Sequence, residues 1–157
     1  MFDPRQFSQL IHDTLIDLDH QLYSLAAVQL LLGTSAQESR LGTYLAQING
    51  PALGVFQMEP ATETDIWFNF ISYRHGLANA VELTTHVVGP SSLDLRGNLP
   101  YQIAMARLHY YRVPDPLPEA GDIESMAMYW KRHYNTFLGR GTTDEFVSNY
   151  RRHVGNI

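Results

Sequence analysis

The sequence of 157 residues contains no cysteine. That excludes a disulfide framework, a zinc ribbon, a thiol nucleophile and a dithiol redox motif in one step. Basic residues are also few: 11 Lys and Arg stand against 16 Asp and Glu, a formal net charge of −5. Capture of nucleic acid by counterion release needs clustered cations, so no nucleic acid partner is expected. Long apolar runs are missing as well. The longest, Leu25 to Leu32, is interrupted by Gln29 and falls far short of the ~20 residues that a membrane-spanning helix requires. The first residues, Met-Phe-Asp-Pro-Arg-Gln-Phe, show no apolar segment after a basic start and do not read as a secretory signal. The expectation is synthesis in the cytoplasm, with delivery to any outside target by another agent. There is no His-Glu-x-x-His and no glycine-rich phosphate loop, and the seven histidines are scattered. Neither a metal nor an organic cofactor is therefore expected.

What is present is a chain with 45% hydrophobic residues, long enough to bury about two thirds of its unfolded surface without covalent staples. A single domain over 1–157 is expected, mainly α, with at most a small β-hairpin or loop near 41–58. Phe7, Leu10, Ile11, Leu15, Leu18, Leu22 and Leu25 recur at helical spacing, as one amphipathic helix or two in tandem. The polar side chains Asp13, Asp17 and His20 on the opposite side read as a solvated face. Leu25 to Gln37 continues as a strongly apolar helix, in which Gly33 costs stability unless close packing needs it. Gly42, Asn49-Gly50-Pro51 and Gly54 then mark turns.

Pro60 is placed to open a helix carrying Ile66, Trp67, Phe70 and Ile71, and a further helix is read from near His75 to Val88. Pro90 to Asn98 reads as a connection. Asn98 and Pro100 start the next helix, which runs to Val113-Pro114. Asp122 is a candidate cap for a helix bearing Met126, Tyr129, Trp130 and His133 or Tyr134, with Gly139-Arg140-Gly141 as its end. Thr142 and Glu145 have the spacing of a capping box ahead of Phe146, Val147, Tyr150 and Val154. Six or seven helices are expected.

The charge is uneven along the chain. Residues 1–72 hold two arginines and eight carboxylates, a net −6, whereas residues 73–157 sum to +1. One carboxylate in the acidic half stands out by position. Glu38, in Ala36-Gln37-Glu38-Ser39, sits where an apolar helix gives out. Apolar walls on one side would raise its pKa by desolvation and suit it to general-acid work near neutral pH. Gln57 lies nineteen residues on, in Gly54-Val55-Phe56-Gln57, continued by Met58-Glu59-Pro60-Ala61-Thr62.

These two segments, in this order and at this distance, resemble the motifs of the goose-type-lysozyme and soluble lytic transglycosylase family. Within that family the chain looks most like the transglycosylase domains of bacteriophages, either lysis enzymes or virion parts. The resemblance implies a lysozyme-like helical fold and, as partner, the glycan strands of bacterial peptidoglycan, cut between N-acetylmuramic acid and N-acetylglucosamine to leave a 1,6-anhydro product. By the same resemblance Glu38 is the catalytic acid/base, Ser39 a polar neighbour and Gln57 a substrate contact. The family's third motif, Tyr-Asn-Ala-Gly in a later helix, is absent. Its candidates here are Tyr129 and Tyr134-Asn135, each equally readable as aromatic core packing. Glu59, Glu63 and Asp65 follow the second motif and leave open a water-activating base, hence a hydrolytic muramidase. The altered third motif leaves open a structural phage virion protein of the same fold, contacting other virion proteins and doing little or no chemistry. A cleft between the acidic and the near-neutral halves is the geometric expectation.

Overall fold

The computed structural model describes residues 1–135 and 139–155. Its helices are α1 (Pro4–Leu18), α2 (Leu25–Ser39), α3 (Pro60–Asn69), α4 (His75–Thr85), α5 (Ser92–Gly97), α6 (Leu99–Tyr111), α7 (Ile123–Trp130) and α8 (Thr143–His153). A 3-10 turn, Ile71–Tyr73, and a π turn, Lys131–Asn135, complete the regular structure among the described residues. The fold is mainly helical. The loop between α2 and α3 holds only isolated antiparallel bridges, Ala46 with Leu53 and Leu53 with Met58.

Local chemistry accounts for most of the boundaries. The side chains of Asp3, Ser24, Asn98 and Asp122 each accept from backbone N–H groups at the first turn of α1, α2, α6 and α7. Thr142 and Glu145 form the reciprocal capping box of α8. The first apolar series divides into two helices at Asp19–Ser24. Residues 90–98, expected as a connection, instead contain the short helix α5, capped by the Ser91 hydroxyl on the Asp94 N–H. Helix α4 ends at Thr85 because His86 adopts φ 61°, three residues before the expected stop. Beyond Trp130 the α-helix widens into the π turn; the remaining span of the expected helix, 136–138, lies outside the described residues.

Helices α2 and α6 are buried on nearly every side and form the centre of the core. Helix α2 packs on α1, α6, α7 and, most extensively, α8. Gly33 makes that last contact close: a Cβ there would lie 2.3 Å from the Phe146 ring. Close packing is thus the condition that justifies a glycine at this helical position, and Phe146 in turn stacks against Trp130 at 5.3 Å between ring centroids. A single hydrophobic cluster runs from Phe7 to Val154. Among the described residues no helix is long and apolar enough to cross a membrane.

Candidate active site

Helix α2 ends one residue after Glu38, and the chain reverses at once. Arg40, Leu41 and Gly42 all have positive φ, 54°, 50° and 76°, a left-handed run that is strained for the two non-glycine residues. Backbone bonds from Arg40 N–H to Ala36 O and from Leu41 N–H to Ser35 O close the helix end. Glu38 is thereby set at a helix terminus, with the folded-back loop 41–59 forming the neighbouring wall.

That wall is pinned from three directions. The Ser39 hydroxyl donates to Val55 O at 2.6 Å. Gln102 of α6 accepts from the Val55 N–H at 2.7 Å. The Tyr134 hydroxyl of the π turn donates to Phe56 O at 2.9 Å. Gly54 is required where the loop meets α5 and α6: at φ +75° its Cβ position lies 2.3 Å from Leu95 O. Gln57 is held at φ 46°, and its amide donates back to Gly54 O at 2.7 Å. A non-glycine residue in this region of backbone space is kept there only by the surrounding structure.

A cleft of about 650 Å³ opens at this place. Its lining comes from both halves of the chain: Gln37, Glu38, Gln57 and Glu59 from the first, His109, Tyr134, Asn135 and Arg140 from the second. A second cavity of about 200 Å³, bordered by Tyr44, Ala46 and Ile48, shares Glu38, Gln47 and Gln57 with the first. Glu38 therefore borders both cavities.

The electrostatics of Glu38 follow from its surroundings. Burial raises its carboxyl from the ordinary 4.5 to about 7, against the opposing effect of a hydrogen bond from the Trp130 indole. That bond runs from Nε1 to Oε1 at 2.9 Å. Two tyrosines also stand near the carboxyl, and both donate elsewhere. Thr34 gives its hydroxyl proton to Leu30 O, so Tyr110, 2.8 Å from Thr34 Oγ1, is the donor of that pair. Tyr134 is committed to Phe56 O. Burial pushes both phenols well above their ordinary value, so both remain un-ionised. His109 is held neutral, lowered to about 4 by burial and then by Arg112. Arg112 Nη2 lies 3.1 Å from His109 Nδ1 and, having only donors, fixes that nitrogen as the acceptor. Arg112 is itself ion-paired with Asp65.

Of the residues expected at the site, Glu38, Gln57, Tyr134 and Asn135 meet in the cleft. Two do not, and those expectations are corrected. Ser39 is fully buried, with its hydroxyl bonded to Val55 O and Ser35 O and accepting from Gly42 N–H; it shapes the loop and has no face for a substrate. Tyr129 turns away and donates to Asp115 O at 2.9 Å. Among the acidic residues after the second motif, Glu63 is buried against Tyr101 and Ser91 and Asp65 is paired with Arg112. Glu59 alone of these three borders the cleft. Trp130, Gln102 and His109 were not distinguished by the sequence pattern. The available signal for Trp130 was its place next to Tyr129 and four residues before Tyr134. In comparison with known proteins, no family model, no curated protein and no solved structure matches the chain.

Proposed function

We propose that the protein is a peptidoglycan lytic transglycosylase that cuts the β-1,4 bond between N-acetylmuramic acid and N-acetylglucosamine, with Glu38 as acid and base. One observation carries this reading: a carboxyl raised to about 7 that borders two cavities, the setting of a general acid beside a bound substrate. Protonated Glu38 delivers its proton to the glycosidic oxygen as the C1–O bond breaks. The carboxylate then takes the proton of the muramic C6 hydroxyl, whose oxygen bonds to C1 and closes the 1,6-anhydro ring. Glu38 ends protonated, ready for the next cycle. This route needs one carboxyl, unlike the paired arrangement of most glycosidases.

The presence of Glu59 in the cleft favours a second reading, hydrolysis by a water that Glu59 activates. Incubation with purified sacculi and mass spectrometry of the products separates the two. Anhydro-muropeptides are expected, unchanged in Glu59→Gln and absent in Glu38→Gln. Reducing muramic ends that vanish in Glu59→Gln would establish the hydrolase instead. The setting we propose is bacteriophage lysis or a virion-associated enzyme, resting on the resemblance of Glu38-Ser39 and Gly54–Gln57 to phage transglycosylase domains. Stoichiometric recovery in virions without any release of muropeptides would mark a structural virion protein.

A further inference from the structure

Trp130 is fully buried, and an indole N–H left without an acceptor in the core is destabilising. Its acceptor is Glu38 Oε1. The ring is fixed on both sides of the fold: Phe146 of α8 stacks on it, and Gly141 passes so close that a Cβ there would come within 2.7 Å of the ring. The indole therefore has one position, and its polarity is fixed because it donates and never accepts.

We infer that Trp130 is the positioning residue of the general acid, its N–H holding Oε1 as a permanent acceptor so that Oε2 is the oxygen that carries and transfers the proton. This rests on the reading of Glu38 as the acid. In the protonated state the carbonyl-like oxygen is the better acceptor, which places the hydroxyl on Oε2. Once the proton has left, the same N–H stabilises the carboxylate until it is reprotonated. Tyr129 and Tyr134, the candidates for the family's third motif, are bonded to Asp115 O and Phe56 O.

Two signals serve as readouts. The chain has two tryptophans, and Trp67 donates to Tyr101, so a ¹⁵N-labelled sample shows two indole N–H resonances, Trp130 being the one lost in Trp130→Phe. Its shift is expected to titrate with a midpoint near 7 and to become flat in Glu38→Gln. The groups facing Glu38 do not mimic this: Tyr110 and Tyr134 stay un-ionised and His109 titrates near 4. Any contribution from His133, Glu59 or Arg140 persists in Glu38→Gln and is thereby identified. A flat wild-type resonance, or a titration unchanged in Glu38→Gln, overturns the inference.

The second readout is the pH profile of glycan cleavage. Trp130→Phe is expected to lower the rate on the order of 10²-fold and to move the basic limb upward, because the ionised carboxyl loses its donor. Where Phe fails to fold, Trp130 replaced by β-(3-benzothienyl)alanine keeps the ring shape and removes only the N–H. A lowered rate with an unmoved limb in the folded variant would make Trp130 mere packing and overturn the inference. The resonance titration needs no substrate. Absence of cleavage with an intact titration thus condemns the catalytic reading and leaves the Trp130–Glu38 pairing standing.

Discussion

At the scale of single residues, Glu38 is a cost to the fold. Below pH 4.5 it is protonated in both the folded and the unfolded chain. Between 4.5 and about 7 the unfolded chain releases a proton that the native protein retains. The contribution of Glu38 to stability therefore falls as pH rises through this window and levels off above it, by up to about 3 kcal/mol. Glu38→Gln keeps the shape and the acceptor for Trp130 while removing the ionisation. It is expected to be more stable than wild type at pH 8 by most of that amount and nearly equal at pH 4, measured as urea midpoints at both values. An equal difference at both would show that the carboxyl titrates normally. The residue proposed as the general acid is thus expected to be the one whose neutral replacement strengthens the fold.

At the scale of elements, the decisive unit is the loop 54–57, tied to α2, α6 and the π turn. Ser39 is its link to α2, and its hydroxyl serves three partners. Ser39→Ala is expected to cost about 1–3 kcal/mol by leaving Val55 O and Gly42 N–H without that partner. Amide hydrogen exchange at 54–58 should quicken more than exchange in α6; uniform acceleration would mean that the link is not local. Elements with a polar cap and apolar spacing were legible in the sequence, as α6 and α8 show through Asn98 and the Thr142–Glu145 pair. Helix α5 was not, because six residues between Pro90-Ser91 and Asn98 are too short to show a period and carry the composition of a turn. The donor to Glu38 was hidden for a different reason. Tyr129 and Trp130 are neighbours about 100° apart on a helix, and which of them faces α2 is decided by the packing of α7 and α8. The π turn that follows then shifts the register of Tyr134 and Asn135.

For the whole molecule, the expected cleft between an acidic and a near-neutral half has its counterpart in a cleft lined by Glu38, Gln57 and Glu59 from the first half and by His109, Tyr134 and Arg140 from the second. It also sets two opposed titrations against each other. His109, buried and neutral, is lowered from 6.5 to about 4. In that interval the unfolded chain takes up a proton that the native one refuses, so this histidine makes stability fall as pH drops from 6.5 towards 4. Glu38 acts in the reverse sense over nearly the same range. The expected outcome is a stability close to constant between pH 4.5 and 6.5 in wild type, rising with pH in Glu38→Gln and falling with pH in His109→Gln. Thermal unfolding across the interval measures all three slopes. Parallel slopes in the two variants would refute the compensation.

The close approach of Phe146 to Gly33 has a bearing on when the protein becomes competent. Phe146 belongs to α8, covers α2 and buttresses the ring that holds Glu38. During synthesis from the N-terminus, residues 1–135 leave the ribosome with the carboxyl and its donor both present but unclamped. On the proposed reading of Glu38, competence is expected only when residues 143–153 dock, so the order of translation itself would delay a working acid until the core has closed.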